Sequence, residues 1–318
     1  TAVPDLQMDA YALLSDPLIL ENWYWFRLNK TGTEKSESGR IGAIRGSHQA
    51  LWFEHQGMQT VNANHLSQLI KLLLAGRIDT ILVDLEHFEI AALELDLAPE
   101  HYVAEFFSYV PMGVYFSREF LAEHEGFLSQ FNRQIYPCSK TSFALSPLEQ
   151  AKVHEALGFL YVRVNEENFI EPIAAQNRRH QTMSFEKIQR LDSFWTNAFA
   201  AGDEQVMNAM QNTVLAERLD VWRKQHTIIT EIIVMDERGL NVAVSPFTSD
   251  YWQGDEAKYQ QTIQAAPGDW FFDEVQYDHS TRKFQLQVSM PLYDTVNAPP
   301  VGAITVGVDI HKVLRQGQ

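Results

Sequence analysis

The sequence predicts a chain of two folds, an α/β part followed by an α+β part. Strand-like and helix-like segments alternate at first, a nearly all-helical stretch runs from Ser146 to about His226, and strand-like runs follow it. A length of 318 residues suits two or three units, because single cores stop growing beyond roughly 250 residues. We expect an α/β domain over 1–140, a helical connector over 141–183, and an α+β domain with a five-stranded antiparallel sheet over 184–318.

Composition excludes several classes of partner. The chain carries 25 basic and 41 acidic residues, a net charge of −16, which repels nucleic acids and anionic membrane surfaces. No apolar run approaches the roughly 18 residues of a membrane span. The single cysteine, Cys138, excludes an intramolecular disulfide and a multi-cysteine metal site, and we predict neither a metal nor a cofactor. The opening "TAVPDLQMDA" does not begin with Met and has no signal peptide, so we expect a processed or excised segment.

Periodicity in the N-terminal part predicts a parallel α/β sheet. The segment "IGAIRGSHQALWF" begins as a strand and continues with helical spacing. An amphipathic helix from about His65 to Leu74 precedes a β-branched run, Ile78 to Val83, and another strand follows at Val110 to Ser117. Alternating units of this kind are typical of parallel sheets with helical crossovers.

The C-terminal part changes from helical to strand periodicity. Apolar residues at three- and four-residue spacing predict a long helix over about Asp203 to His226. Five strand-like runs follow, and "TSDYWQGDEAKY", Thr248 to Tyr259, is predicted to be a helix inserted after the second of them. We therefore expect an antiparallel α+β domain.

This C-terminal order, over about Ser184 to Leu314, resembles the extracytoplasmic PAS-like sensor domains called Cache or PDC domains. The resemblance is carried by "EIIVMDERGLNVAVS", "TSDYWQGDEAKY", "FDEVQYDHSTRKFQLQVSMPLYD" and "VGAITVGVDI". It implies a long helix before a five-stranded antiparallel sheet. It also implies a small molecule bound between the inserted helices and one face of the sheet, in a protein that is not an enzyme.

Residues 10 to about 136 resemble part of a family 3 periplasmic solute-binding protein, the bilobed Venus-flytrap class. The resemblance is carried by "LLSDPLIL", "RIGAIRGSHQALWF", "LLAGRIDTILVD" and "VPMGVYFSREFL". It implies one whole lobe, with the opening of the first lobe missing. The arginine that amino-acid binders of this class carry would fall near Met8, where this sequence has none.

Two positions of the flytrap-like part are candidate ligand contacts. The resemblance implies that the turn Gly46-Ser47-His48 holds an anionic ligand group, as a helix N-terminus is suited to do. Ser47 as a simple N-cap is the alternative. The resemblance also implies that Asp84 binds a ligand amine, although strand-end acids commonly cap loops.

An acid-plus-imidazole cluster offers a weak case for catalysis or metal binding. Glu86, His87 and Glu89 follow Asp84 in what we expect to be a polar loop near the cleft. They lack the "HExxH" helix spacing of a zinc hydrolase. A hydrolase using Glu86, His87 or Asp84 is therefore the least favoured function.

The segment "TSDYWQGDEAKY" supplies the main candidate site of the Cache-like part. Thr248, Ser249 and Asp250 are candidate N-caps, which leaves Tyr251 and Trp252 without an explanation from capping. The two rings either close over a small ligand or anchor the helix on the sheet, and the sequence leaves both interpretations open.

Two strand residues complete the predicted pocket. Alternation places Asp273 on one face with the apolar Phe271 and Val275 and with Tyr277, where a carboxylate needs a ligand or a partner. On the next strand, Gln287 lies opposite the apolar face. We predict both as ligand contacts.

The predicted function is an extracytoplasmic, periplasmic sensor for a small molecule. The ligand would lie in the Cache-like pocket, with a second site expected in the flytrap-like cleft. The long helix would couple the pocket to a homodimer interface. A free-standing transport-type solute-binding protein is the alternative, and we expect no enzymatic activity.

Overall fold

The computed structural model describes residues 3, 8–29, 39–139, 144–166, 169–278, 283–295 and 298–316. The chain forms two compact units, one of Thr1–Phe143 with Arg315–Gln318 and one of Ala144–Leu314. The helices that the sequence assigns to a connector over 141–183 lie in the second unit. The division into three domains stays a prediction.

The first unit is built on a mixed five-stranded sheet. The strands of the whole unit are β1 (Ala12–Leu14), β2 (Ile19–Leu28), β3 (Ile41–Ile44), β4 (Thr60–Ala63), β5 (Thr80–Asp84), β6 (Tyr102–Met112) and β7 (Tyr115–Ser117). The sheet has the order β4-β3-β5-β2-β6, while β1 and β7 form a separate antiparallel pair. Strand β3 runs parallel to β5, as the sequence predicts, and also to β4, a strand that the sequence interpretation did not include. The prediction of a parallel sheet is wrong for β2, which pairs antiparallel with both β5 and β6.

Helices follow each of the three parallel strands. The helices of this unit are α1 (His48–His55), α2 (Leu66–Leu74), α3 (Leu85–Glu94), α4 (Arg118–Glu123) and α5 (Phe127–Ser139), with short 3-10 turns at Met8–Ala10 and Pro99–His101. Ser47 caps α1 and Asp84 caps α3, each through a side-chain oxygen. Helices α1, α2 and α3 therefore all begin at one edge of the sheet.

Aromatic residues fill the core of the first unit. Phe26 on β2 stacks on Phe88 of α3 with ring centroids 3.6 Å apart. Tyr24 meets Phe106 of β6 edge to face at 5.3 Å. These pairs join β2 to helix α3 and to the neighbouring strand β6, and burial of rings of this size is a large apolar contribution to stability.

The second unit begins with helices. They are α6 (Pro147–Glu166), α7 (Ile170–His180), α8 (Phe185–Ala201), α9 (Glu204–Met210) and α10 (Thr213–Gln225), and two short ones follow later, α11 (Ala257–Thr262) and α12 (Ile310–Arg315). The prediction of one long helix over Asp203 to His226 is wrong, because the helix is interrupted between α9 and α10. Asn212 caps α10 with its side chain and donates its backbone N–H to Val242.

The sheet of the second unit is antiparallel throughout. Its strands are β8 (Ile229–Asp236), β9 (Asn241–Ser245), β10 (Phe271–Phe272), β11 (Gln276–Asp278), β12 (Lys283–Leu292) and β13 (Gly302–Asp309). The order is β10-β12-β13-β8-β9, and β11 also pairs with β12. Since β10 and β11 are two pieces of one predicted strand, the prediction of five antiparallel strands is confirmed, and so is the mixed α/β and α+β fold class.

The interruption between β10 and β11 changes which residues share a face. Phe272 pairs with Val288, but Gln276 pairs with Gln285, so the register shifts by one residue. A shift of one residue moves side chains to the opposite face. The prediction of one unbroken strand through Asp273 is therefore wrong, because the strand is divided into β10 and β11, which pair with β12 in registers that differ by one residue.

The helix predicted from Thr248 begins only at Ala257. Main-chain pairing explains the delay: Leu240 and Trp252 form an isolated bridge, Asn241 N–H donates to Tyr251 O at 2.9 Å, and Gln253 N–H donates to Gly239 O at 2.7 Å. The segment thus lies along the β8–β9 turn, and the predicted capping by Ser249 or its neighbours is wrong.

Among the described residues, no helix combines the length and apolarity that a membrane crossing requires.

Candidate functional site

One edge of the first sheet collects most of the predicted flytrap-like residues. Strands β4, β3 and β5 run parallel, so their carboxyl ends meet at this edge, where α1, α2 and α3 start. Open α/β sheets bind ligands outside the carboxyl ends of their strands. This edge is therefore the candidate site of the first unit.

The turn before α1 has a local structural role. Ser47 Oγ accepts the Ala50 N–H at 3.1 Å, as an N-cap does. Gly46 has a φ of +75°, a left-handed conformation that favours glycine. Capping thus accounts for Ser47, while anion binding by Gly46, Ser47 and His48 stays a prediction.

Asp84 also has protein partners. Its Oδ1 accepts the His87 N–H at 3.2 Å and its Oδ2 accepts the Asn22 N–H at 2.9 Å. The carboxylate side chain is 13% exposed and His87 Nδ1 lies 3.6 Å from Oδ1. Asp84 therefore ties β5 to β2 and caps α3, and its predicted contact with a ligand amine stays a prediction.

The acid-plus-imidazole cluster lies on a helix. Glu86, His87 and Glu89 belong to α3, so their prediction as a polar loop is wrong. Asp84 caps the start of this helix, whereas the sequence interpretation offered it only as the cap of a loop. In the part of the chain that the structure describes, no group of three or more His, Cys, Asp or Glu side chains is arranged to hold a metal ion.

Two clefts adjoin this edge. The first, called the His65 cleft, has a volume of about 420 Å³ and is lined by Ile44, His65, Leu66, Ser67, Val83, His87, Ile90, Ala91 and Glu94. The start of α2 forms one wall, and its N-cap residue His65 makes no side-chain capping bond. The positive end of α2 is therefore the one helix start of the three that lacks a side-chain cap.

The second, called the Arg45 cleft, has a volume of about 400 Å³ and is lined by Arg45, Asn62, Ala63, Asn64, Gln68, Lys71 and Leu72. Neither the Arg45 guanidinium nor the Lys71 ammonium has an ion-pair or hydrogen-bond partner among the described residues. Unpaired cations are notable in a chain of net charge −16. The sequence interpretation missed Lys71, because its cleft forms only when α2 packs beside β4.

In the second unit, Tyr251 is a core residue. It is 3% exposed and packs against Trp195 with ring centroids 5.3 Å apart. Its hydroxyl donates to Met210 O at 3.3 Å. Burial, and secondarily the charge of Asp236, raises the pKa of this phenol well above its ordinary value, so the hydroxyl stays neutral.

Trp252 is anchored on the β8–β9 turn. Its indole N–H donates to Arg238 O at 2.8 Å, and its ring meets Phe185 edge to face at 5.2 Å. Asp192 of α8 accepts the backbone N–H groups of both Tyr251 and Trp252, at 2.9 and 3.0 Å. The sequence interpretation missed Asp192. The geometry matches the anchoring interpretation, and ligand contact stays a prediction.

Asp273 lies directly after the edge strand β10, and Gln287 lies on the neighbouring strand β12. Asp273 N–H donates to Gln287 O at 3.0 Å, while the Asp273 side chain accepts the Glu274 N–H at 2.8 Å. The Gln287 amide donates to Glu231 at 2.7 Å. The residues lining the His65 cleft and the Arg45 cleft include none of the four predicted for the Cache-like pocket, Tyr251, Trp252, Asp273 and Gln287.

No protein-family model matches the chain, and no curated protein matches it. Among solved structures, holo ArgBP from T. maritima matches at 13% identity over 46% of this chain and 62% of its own, with a TM-score of 0.33. An ABC uptake transporter substrate-binding protein from Streptococcus pneumoniae with bound histidine matches at 15% identity over 44% and 61%, with a TM-score of 0.34. A histidine kinase sensor domain with similarity to periplasmic binding proteins matches at 16% identity over 44% and 62%, with a TM-score of 0.34.

These matches are partial. The chain spans about six tenths of the length of each of these structures, at 61 to 62%. At scores this low the likeness does not establish a shared fold. Both a transport-type protein and a sensor domain are among the matches.

Proposed function

We propose that this chain is an extracytoplasmic small-molecule-binding protein that forms the input part of a sensor. The ligand binds at the carboxyl edge of the first sheet and carries an anionic group. The chain acts by binding rather than by catalysis.

The His65 cleft carries this proposal. It lies where the parallel strands end, and its volume of about 420 Å³ is within the range of small-molecule sites. The backbone N–H groups of the first α2 turn, with no side-chain cap, favour an anionic group at this point. Leu66, Ile90 and Ala91 give the cleft an apolar wall for the rest of the ligand.

The Arg45 cleft adds positive charge on the other side of α2. Ser67 lines one cleft and Gln68, the next residue, lines the other. The unpaired Arg45 and Lys71 would attract an anion toward the start of α2, against the negative field of the chain. This supports an anionic rather than a cationic ligand.

The second unit supports the sensor part of the proposal. Helices followed by five antiparallel strands, with α11 after the second strand, match part of the arrangement that the Cache resemblance implies, although two helices, α9 and α10, replace the long helix predicted over Asp203 to His226. A ligand-dependent change would be passed on by biasing one of two arrangements of such a unit.

Thermal-shift screening with a metabolite library tests the placement of the ligand. The wild type is compared with Ser67→Tyr, which places a ring at the start of α2 inside the His65 cleft. Leu74→Tyr, on the same helix and outside the lining of both clefts, is the matched control. A ligand at about 100 times its Kd adds about 2.7 kcal/mol of stability.

We expect anionic hits that stabilise the wild type and Leu74→Tyr alike but leave Ser67→Tyr unchanged. A hit that stabilises all three proteins equally would contradict binding in the His65 cleft.

A further inference from the structure

The second unit contains a cavity that none of the sites described above uses. It has a volume of about 370 Å³ and lies between α6, α7 and the end of β12. It is lined by Tyr161, Val164, Phe169, Ile170, Pro267, Gly268, Met290, Pro291, Leu292, Tyr293, Asp294 and Thr295. This Tyr293 cavity lies wholly within the second unit.

The floor of the Tyr293 cavity is apolar and fixed. Phe169, Met290 and Leu292 are buried at 0%, 7% and 3% exposure. Phe169 also packs on Trp222 of α10, with ring centroids 5.2 Å apart. A ligand on this floor meets a surface that does not need to be ordered on binding, which lowers the entropic cost of association.

The rim of the cavity is aromatic and acidic. The Tyr293 hydroxyl donates to Ala265 O at 2.6 Å, which holds the ring in place. Burial raises the pKa of this phenol, and the charge of Asp269 raises it further, so negative charge lies nearby. Asp294 adds a carboxylate, and among the twelve described lining residues none is Lys, Arg or His.

Two aromatic rings, from the exposed Tyr161 and the partly exposed Tyr293, lie beside the Asp294 carboxylate, and none of the described lining residues is a cation, so the cavity favours a positively charged ligand. The faces of aromatic rings attract cations, and quaternary ammonium groups are the ligands that such surroundings recognise. We propose that the Tyr293 cavity binds a small organic cation with an alkylated ammonium group. This site is separate from the proposed anionic site, so either one stands or fails alone.

A matched pair of probes separates charge from shape. Choline and 3,3-dimethylbutan-1-ol have nearly the same shape, but only choline is charged. By isothermal titration calorimetry on the full chain, we expect choline to bind about tenfold more tightly than the alcohol. Equal affinity for both, or no choline binding at millimolar concentration, would overturn the proposal.

Substitutions place the binding in the cavity. We expect Tyr161→Leu to weaken choline binding about fivefold. We expect Asp294→Asn to weaken choline binding about threefold and to leave the affinity for the alcohol unchanged. Asp255 is an exposed acid elsewhere in this unit, and the control variant Asp255→Asn should change neither the affinity for choline nor the affinity for the alcohol.

A cavity-filling variant completes the test. Val164→Trp should abolish choline binding, while the variant protein keeps the cooperative thermal melting transition of the wild type. If Val164→Trp does not fold, Tyr161→Leu and Asp294→Asn together decide the outcome. Choline affinity unchanged in both Tyr161→Leu and Asp294→Asn would show that choline binds elsewhere and would overturn the proposal.

Discussion

At the residue scale, the two rings of the "DYW" segment are explained by packing. Tyr251 and Trp252 each bury an aromatic body and donate their polar hydrogen to a backbone carbonyl. Asp192 holds the backbone between them. The Tyr251 hydroxyl and the Trp252 indole N–H therefore both have hydrogen-bond acceptors within the protein.

Trp252→Ala should lower the free energy of unfolding by about 3 kcal/mol without any ligand, because it removes a packed ring and leaves Arg238 O without its donor. Urea unfolding followed by far-UV circular dichroism measures this. Phe194→Ala, at a ring that is 55% exposed, is the control and should cost less than about 1 kcal/mol. Full stability of Trp252→Ala would point back to a ligand role.

Gly254 is required by close contact with the same indole. A Cβ at Gly254 would lie 2.4 Å from Trp252 Nε1 and 2.9 Å from Arg238 O. Gly254→Ala should therefore destabilise the protein by about 1–3 kcal/mol, as overpacking does. Gly158→Ala is the matched control, since a Cβ within α6 meets nothing within 4 Å. Gly158→Ala should raise the free energy of unfolding by roughly 0.5–1 kcal/mol, measured by urea unfolding as for Trp252→Ala. A decrease in the free energy of unfolding as large for Gly158→Ala as for Gly254→Ala would refute the contact argument.

At the element scale, α10 is tied to β9 by a charged cluster. Asp220 accepts from Arg223 at 2.7 Å and from the Ser245 hydroxyl at 3.1 Å, and it pairs with Lys224. The hydrogen bonds from Lys224 and Arg223 lower the pKa of Asp220 to about 2. Because the folded pKa lies below the unfolded one, the stabilisation is present above about pH 4 and is lost as pH falls toward 2.

Asp220→Asn should therefore be less stable than the wild type at pH 7, and the difference should shrink between pH 4 and pH 2. The difference at pH 7 stays below about 1 kcal/mol, because the carboxylate is partly exposed and screened by solvent. Urea midpoints of both proteins across this range measure it. A difference that is constant from pH 7 to pH 2 would exclude ionisation as its cause.

Element types were largely predictable, whereas breaks inside elements were not. Parallel pairing of β3 with β5 follows from the alternating pattern, because that pattern reports local burial, whereas strand β4 was not predicted. The break before Asn212, the register shift after Phe272 and the late start at Ala257 depend on hydrogen bonds between distant segments. The capping roles of Ser47 and Asp84 were foreseeable as alternatives, since N-capping uses local residue types.

At the scale of the whole molecule, the site could be predicted only in part. The turn at Gly46 and the strand end at Asp84 do flank the clefts of the first unit. The uncapped start of α2 and the unpaired Lys71 are visible only after folding. The Tyr293 cavity likewise combines α6 and α7 with β12, which begins more than a hundred residues after α7 ends.

Charge in the Arg45 cleft gives a prediction about the whole protein's ligand preference. The double variant with Arg45→Gln and Lys71→Gln should bind an anionic hit about tenfold more weakly, a change of about 1.4 kcal/mol. Part of the loss should disappear at high salt, because exposed charges are screened. Arg77→Gln, an exposed cation on neither cleft, is the control for titration calorimetry. A loss of affinity per removed charge that is equal in Arg77→Gln and in the double variant would indicate a general field effect instead.

The central claim is that a small anionic molecule binds at the carboxyl edge of the first sheet. A crystal structure of the chain with the strongest anionic hit tests it most directly. We predict ligand density in the His65 cleft, with the anionic group at the backbone N–H groups of Leu66 and Ser67. Density for the hit only outside both the His65 and Arg45 clefts would contradict the claim.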